Sequence, residues 1–314
     1  MSARVAVIDI GSNSIKSLVA EEGPEPHTLR GLHEETLEVR ISTGIGSERP
    51  VLQPGNIKAG TRAVASLLGN CRKKGPLRAV RIVATSAVRS AANGADFLTA
   101  VESATGERPV LLSGDEEAMA IALGVRTDPA IGKHLEDFTV FDLGGGSLEL
   151  IRFEGEHVAR HLSLPLGSVR LTERFVGNPR QALTAGEARA LAGHIRESLR
   201  TSEVPLRPPL VGCGGGLNTV RLLFAREKGL EIAKSSPVLS GKRLQALERA
   251  IAARSFEERI AGGVPRGRAD IFPAAMITFR LIMDMAGATE ILHSFHNLRY
   301  GLAWETLCAS PFQK

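Results

Sequence analysis

Two short loops carry the residues best suited to chemistry. Val7-Ile-Asp9-Ile-Gly11-Ser-Asn-Ser14 and Val140-Phe-Asp142-Leu-Gly144-Gly-Gly-Ser147 share Val, Asp, Gly and Ser at identical spacing. In each, an Asp closes an apolar run and small residues follow, ending in Ser. With no bulky side chains in the way, the backbone N–H groups of Ser12, Asn13 and Ser14, or of Gly144, Gly145, Gly146 and Ser147, can converge on an anion such as phosphate. A carboxylate beside such a loop repels phosphate unless a divalent cation stands between them, so Asp9 and Asp142 suit Mg²⁺, with Mn²⁺ as the alternative. A pair of plain hairpin turns, each with Asp capping its own turn, is the other reading. Two matched copies favour the anion.

Glu149 lies two residues beyond Ser147 among Leu148, Leu150 and Ile151. A charge in so apolar a run must reach solvent or meet a metal or basic group, and its nearness to Asp142 allows a shared cation site. The first copy has Lys16 at that position, which reads as a solvated charge. Ser113-Gly-Asp-Glu116 forms a capping box at the start of a helix, which accounts for Glu116 but not for Glu117. Glu117, about 100° further round that helix, can orient or deprotonate a water. Arg89 and Asn93 follow the apolar run Ala79 to Thr85 and offer a guanidinium fork and an amide to phosphate, unless they belong to a capped surface helix.

A third loop, Val211-Gly-Cys-Gly214-Gly215-Gly216, reads equally as tight strand-to-helix packing or as a backbone open to a phosphate or nucleoside. Arg72, Lys73, Lys74, Arg78 and Arg81 form a basic run. It reads as a solvated helix end or as a track for a polyanion, and without interleaved aromatics it does not support nucleic-acid stacking. No Gly-x-Ser-x-Gly elbow, GxxxxGK[ST] loop or zinc-protease His pair occurs, which disfavours serine hydrolases, P-loop ATPases and zinc proteases.

These residues need a scaffold. Buried strands are expected at Val5–Ile8 and Ile15–Ala20, a third at Thr36–Ser42, a helix over Ile57–Lys74, a strand over Ala79–Thr85, then helices at Ala95–Ser103 and from about Asp115 to Val125 around a short Val110–Leu112 strand. The pattern restarts with strands at Phe138–Phe141, Leu148–Phe153 and His157–Pro165. Helices are expected over Ala185–Arg200, Leu217–Lys228, Gly241–Ala261 and Ala269–Ala286. This is an internal duplication of an α/β layer unit with a mixed sheet, its boundary in Thr127–Asp137, and duplicated domains commonly hold a ligand cleft.

A chain of 314 residues with 43% hydrophobic and 23% charged residues folds as a globular protein of about two domains. No apolar run reaches the roughly 20 residues of a membrane span. Cys71, Cys213 and Cys308 are too scattered for a disulfide framework or zinc site, so a reducing cytoplasm is expected. The net charge of +5 favours an anionic partner.

Asp9-Ile-Gly-Ser-Asn-Ser14, Thr85-Ser-Ala-Val-Arg89 with Asn93, Ser113-Gly-Asp-Glu-Glu-Ala118, Asp142-Leu-Gly-Gly-Gly-Ser147 with Glu149, and Leu164-Pro-Leu-Gly-Ser-Val-Arg170 resemble the successive blocks of the exopolyphosphatase and guanosine pentaphosphate phosphohydrolase (Ppx/GppA) family. Arg268-Ala-Asp270 and Asn297-Leu-Arg-Tyr-Gly301 resemble its weaker C-terminal blocks. The resemblance implies two duplicated actin-like, ribonuclease H-like domains with a cleft between them. They would cover 1–130 and 131–314, the last helix, about 300–314, packing back on the first, in a short form without the HD-like domain of longer relatives.

It also implies Mg²⁺-dependent release of terminal phosphate from inorganic polyphosphate, or alternatively of the 5′ γ-phosphate of pppGpp, in a cytoplasmic homodimer. Glu117 matches the water-activating glutamate, Asp142 and Glu149 the acidic pair at the metal, and Ser12, Asn13, Ser14, Arg89, Asn93 and Gly144–Ser147 the phosphate-positioning groups. Leu148, Cys213 and Tyr300 depart from the family's usual Thr, Thr and acidic residue. Those departures keep open a different class, a non-catalytic sensor of (p)ppGpp or polyphosphate.

Overall fold

The structure is a computed structural model describing residues 3–43, 50–131 and 135–308. Gly132, within the expected domain connection, lies outside the described residues. The chain forms two compact units, 1–134 with 296–314, and 135–295.

The first unit begins with β1 (Val5–Ile10), β2 (Ile15–Glu22) and β3 (Leu29–Leu37), followed by α1 (Pro54–Arg72), β4 (Ala79–Ala84), α2 (Ser86–Ser90), α3 (Gly94–Thr105), β5 (Val110–Leu111) and α4 (Gly114–Arg126). Its sheet runs β3-β2-β1-β4-β5. β1, β2 and β3 form an antiparallel meander, and β4 and β5 lie parallel to β1 and β4. β1 is central, and Val5, Ala6, Val7, Ile8 and Ile10 are all buried, as a strand covered on both faces requires. Pro54 opens α1, where the missing N–H costs nothing, and Val64, Leu67, Leu68 and Cys71 form its buried stripe.

The second unit repeats the plan. It contains β6 (Phe138–Leu143), β7 (Leu148–Glu154), β8 (His157–Leu164), α5 (Ser168–Phe175), α6 (Ala185–Arg200), β9 (Leu210–Cys213), α7 (Gly215–Glu227), β10 (Val238–Ser240), α8 (Gly241–Ala252), α9 (Phe256–Ala261), α10 (Phe272–Ala286) and β11 (Glu290–His293). Its sheet order is β10-β11-β9-β6-β7-β8, so β8-β7-β6-β9-β11 matches the first sheet strand for strand and β10 extends the far edge antiparallel to β11. Both meanders carry a bulge, at Val19/Ala20 and at Arg152/Phe153. Each unit is an α/β layer built on a mixed sheet, as the duplicated sequence pattern implies. α11 (Leu298–Cys308) belongs to the first unit, packed on α4, β1 and β2.

Two elements differ from expectation. The third strand runs over Leu29–Leu37, not Thr36–Ser42. It is an edge strand bearing Arg30, His33, Glu34 and Glu35, and pairing with β2 defines it where apolar alternation does not. The helix expected over Gly241–Ala261 is two helices, because Ser255 and Glu258 form a capping box that starts α9. Inside the bend the guanidinium of Arg259 is buried and donates to the carbonyls of Ile251, Pro179, Ala269 and Gln181.

Candidate active site

In the second unit, β6 and β7 are joined by a four-residue turn, Gly144–Ser147. The Gly144 N–H closes it on the Ser147 carbonyl at 3.0 Å. Ser168 and Arg170 hold its carbonyls. Ser168 N–H and Oγ–H both reach Gly144 O, at 3.0 and 3.1 Å, and Arg170 N–H reaches Gly145 O at 3.2 Å. Arg170 Nε donates to Gly146 O at 3.1 Å. The N–H groups of Gly145, Gly146 and Ser147 meet no acceptor among the described residues. A concave row of such donors is an anion cradle.

At the strand ends behind this turn, Asp142 stands directly across the ladder from Glu149. They are 9% and 2% exposed, and Glu149 Oε1 accepts from Ser163 Oγ at 2.8 Å. Two adjacent carboxylates in a poorly hydrated place fit a hard divalent cation, which takes oxygen ligands and relieves their repulsion. Among the described residues no set of three or more His, Cys, Asp and Glu is placed to hold a metal. A cation here would complete its shell from water or substrate oxygen.

The first unit repeats the turn as Gly11–Ser14, closed by Gly11 N–H on Ser14 O at 3.2 Å. Ser42 N–H and Oγ–H hold Ser12 O at 3.3 and 3.1 Å, and Arg40 N–H holds Asn13 O at 3.0 Å. Ser12, Asn13 and Ser14 are buried. Here Asp9 faces Lys16, which is half-buried rather than fully solvated. Burial raises the Asp9 carboxyl above its usual range against the opposing pull of the Lys16 and Arg299 charges, and its Oδ1 has no hydrogen-bond partner among the described residues.

Glu117 lies in the first turn of α4 and is 7% exposed, while Ser113 and Glu116 make the capping box on their own. Arg89 Nη1 donates to Glu117 Oε2 at 3.2 Å and to Leu112 O at 2.6 Å. The carboxylate is thereby oriented by a guanidinium anchored to the main chain. Asn93 is placed otherwise. Its amide accepts from Leu52 N–H at 2.8 Å and donates to Leu52 O at 2.9 Å, so it ties the segment before α1 and is committed to main chain rather than offered to an anion.

The third loop is tightly packed. A Cβ on Gly212 would stand 2.1 Å from Leu217, on Gly214 2.3 Å from Asp142 Oδ1, on Gly215 2.0 Å from the Arg268 guanidinium and on Gly216 2.7 Å from Phe279. Gly214 also has φ +91°. The basic run is engaged too: Arg72 pairs with Glu107 and Arg81 with Glu305, both at 2.8 Å, and Arg78 donates to Leu307 O.

The unusual residues are accommodated. Leu148 and Cys213 are fully buried. Tyr300 Oη donates to Glu34 Oε1 at 2.8 Å and its ring stacks on His296 at 3.7 Å, while Arg299 bridges Ser17 O and Glu34 Oε2. Sequence reasoning did not find the carbonyl-holding roles of Arg40, Ser42, Ser168 and Arg170. For the last two, the Leu164–Arg170 block was the signal.

The chain is 30% identical over 317 residues to Exopolyphosphatase 2 of Mycobacterium tuberculosis, covering 96% of this chain and 97% of that protein. Among solved structures, the Aquifex aeolicus PPX-GPPA enzyme matches at 25% identity with a TM-score of 0.77 over 96% of this chain and 99% of that one. An exopolyphosphatase from Cytophaga hutchinsonii, at 22% identity and a TM-score of 0.85 over 97% of each chain, shares the fold. The profile of the Ppx/GppA phosphatase family matches residues 18–309, and the chain belongs to that family.

Proposed function

We propose that the protein is an exopolyphosphatase, a phosphoanhydride hydrolase that releases terminal phosphate from inorganic polyphosphate by attack of water on phosphorus. The observation that carries this reading is the Gly144–Ser147 turn, its carbonyls tied and its N–H groups directed away, beside the buried Asp142–Glu149 pair. Family membership and the relative named Exopolyphosphatase 2 support it.

Asp142 and Glu149 would hold Mg²⁺, which when bound neutralises charge on phosphoryl oxygens and so polarises phosphorus. The N–H groups of Gly145, Gly146 and Ser147 bind and orient a phosphoryl group, with Ser12, Asn13 and Ser14 as the second cradle. Glu117, aimed by Arg89, accepts the proton of the attacking water. Phosphoryl transfer asks little more of protein groups than positioning and charge stabilisation. No helix of the described residues is long and apolar enough to cross a membrane. Three cysteines, too scattered in sequence for a disulfide framework, suit a cytoplasmic enzyme.

The test is phosphate release by purified protein with Mg²⁺ from long polyphosphate, short polyphosphate and pppGpp side by side, with Glu117→Gln as control. Polyphosphate should be the best substrate, and Glu117→Gln should slow release about 10²- to 10⁴-fold with the fold intact. Release from pppGpp alone would reassign the substrate. Binding without release from any of the three would make the protein a sensor.

A further inference from the structure

We propose that Arg170 is a positioning residue for the anion turn Gly144–Ser147, acting through the hydrogen bond from its Nε and not through its charge. The inference rests on the reading of that turn as the phosphoryl cradle.

A peptide unit is planar and trans, so fixing the direction of a carbonyl fixes the following N–H in the opposite direction. Gly144 O, Gly145 O and Gly146 O share their planes with the N–H groups of Gly145, Gly146 and Ser147. Those three carbonyls are the ones that Ser168, Val169 and Arg170 hold. Main-chain and hydroxyl donors hold the first two. Gly146 O, which sets the Ser147 N–H, is held by the Arg170 side chain at 3.1 Å. The approach is built in, since a Cβ on Gly167 would stand 2.3 Å from the Gly145 carbonyl.

The first unit does the same with different residues. Ser42 holds Ser12 O and Arg40 N–H holds Asn13 O, which fixes the N–H groups of Asn13 and Ser14. Two turns with different sequences, each clamped on its carbonyls by the segment after its third strand, share an orienting device. In the second unit, Gly144 O is held by main chain as well as by the Ser168 hydroxyl, whereas Gly146 O is held by the Arg170 side chain.

The Nε of Arg is four bonds beyond Cα, where Gln carries its amide nitrogen and Met a methyl group. Arg170→Gln therefore keeps a donor at that place without the charge, and Arg170→Met removes both in a similar shape. The experiment measures kcat and KM for polyphosphate with Mg²⁺, thermal midpoints, and backbone ¹⁵N order parameters at 145–147, in wild type and both variants. Arg170→Met should raise KM about tenfold with kcat within about twofold, because the N–H row binds ground state and transition state alike. Its midpoint should stay within about 2 °C. Arg170→Gln should remain near wild type, and the N–H order parameters at 145–147 should fall in the Met variant only.

A Gln variant as impaired as the Met variant would show that the charge acts, and an unimpaired Met variant would remove the role; either overturns the proposal. If wild type releases no phosphate, the functional reading fails on its own. The order parameters then decide, lower values in the Met variant only upholding the clamp and equal values overturning it.

Discussion

Asp142 lies directly across the β6–β7 ladder from Glu149, at the register position where the first unit sets Asp9 opposite Lys16. The two copies of one hairpin have thus diverged electrostatically. One sets opposite charges across the ladder, where Lys16 partly offsets the burial that raises the Asp9 carboxyl. The other holds two carboxylates together, an arrangement that a bound cation stabilises.

Removing one member of the carboxylate pair should separate stability from activity. Glu149→Gln keeps the acceptor for Ser163 and removes the repulsion, so in metal-free buffer it should melt no lower than wild type. Wild type should melt higher as Mg²⁺ is added, and Glu149→Gln and Asp142→Asn should not. Both variants should lose at least about a hundredfold in phosphate release, as the several kcal/mol supplied by a cation implies. Calorimetry with and without Mg²⁺, alongside the assay, checks both effects.

Tyr300 is the chain's single tyrosine, so its ionisation can be read alone. Burial first, then the Glu34 charge and the hydrogen bond to it, push its phenol well above the usual value. The raised folded pKa contributes stability below about pH 10, the unfolded value, that is lost as pH rises beyond it. Phenolate absorbance near 295 nm should stay flat through the ordinary tyrosine range and rise only as the protein unfolds. A free titration near pH 10 in folded protein would contradict the buried Tyr300–Glu34 contact.

His293 should act at the other end of the pH scale. Burial, with the Arg221 charge beside it, pushes its imidazole down to about 3. Arg221 Nη1 lies 3.3 Å from His293 Nδ1. The depressed value means the unfolded chain binds this proton first, so stability present above about pH 6.5 is lost as pH falls toward 3. Denaturant titrations from pH 7 to 4 should show a shallower loss for His293→Asn than for wild type, whatever the starting stability of the variant.

The contact of α4 with α11 depends on glycine at two places. A Cβ on Gly301 would stand 1.7 Å from Ala120 O, and one on Gly124 2.1 Å from Asn297 O. Both obstacles are main chain and cannot rotate away. Gly301→Ala should therefore cost at the upper end of, or above, the roughly 1–3 kcal/mol typical of overpacking. An exposed control such as Gly193→Ala, where a Cβ meets nothing within 4 Å, should not destabilise, and chemical denaturation of the pair measures the difference.

The duplicated loops, the restart of the strand pattern in the second unit and the place of Glu117 at a capped helix start were legible in the sequence. Each is set locally: small residues after a buried strand leave few alternatives to a tight turn, and Ser113 with Glu116 fixes where α4 begins. What the sequence could not show were the choices made by distant partners. β3 is a strand because β2 supplies its ladder, although its own residues are largely polar. Gly212, Gly214, Gly215 and Gly216 are small because Leu217, Asp142, Arg268 and Phe279 occupy the space, and Asn93 is held by Leu52, 41 residues away. The clamps of Arg40 and Ser42, and of Ser168 and Arg170, likewise join segments over 20 residues apart in sequence. Local pattern determines which backbone shapes are available. Only tertiary contact decides which carbonyl is held and therefore which N–H is aimed.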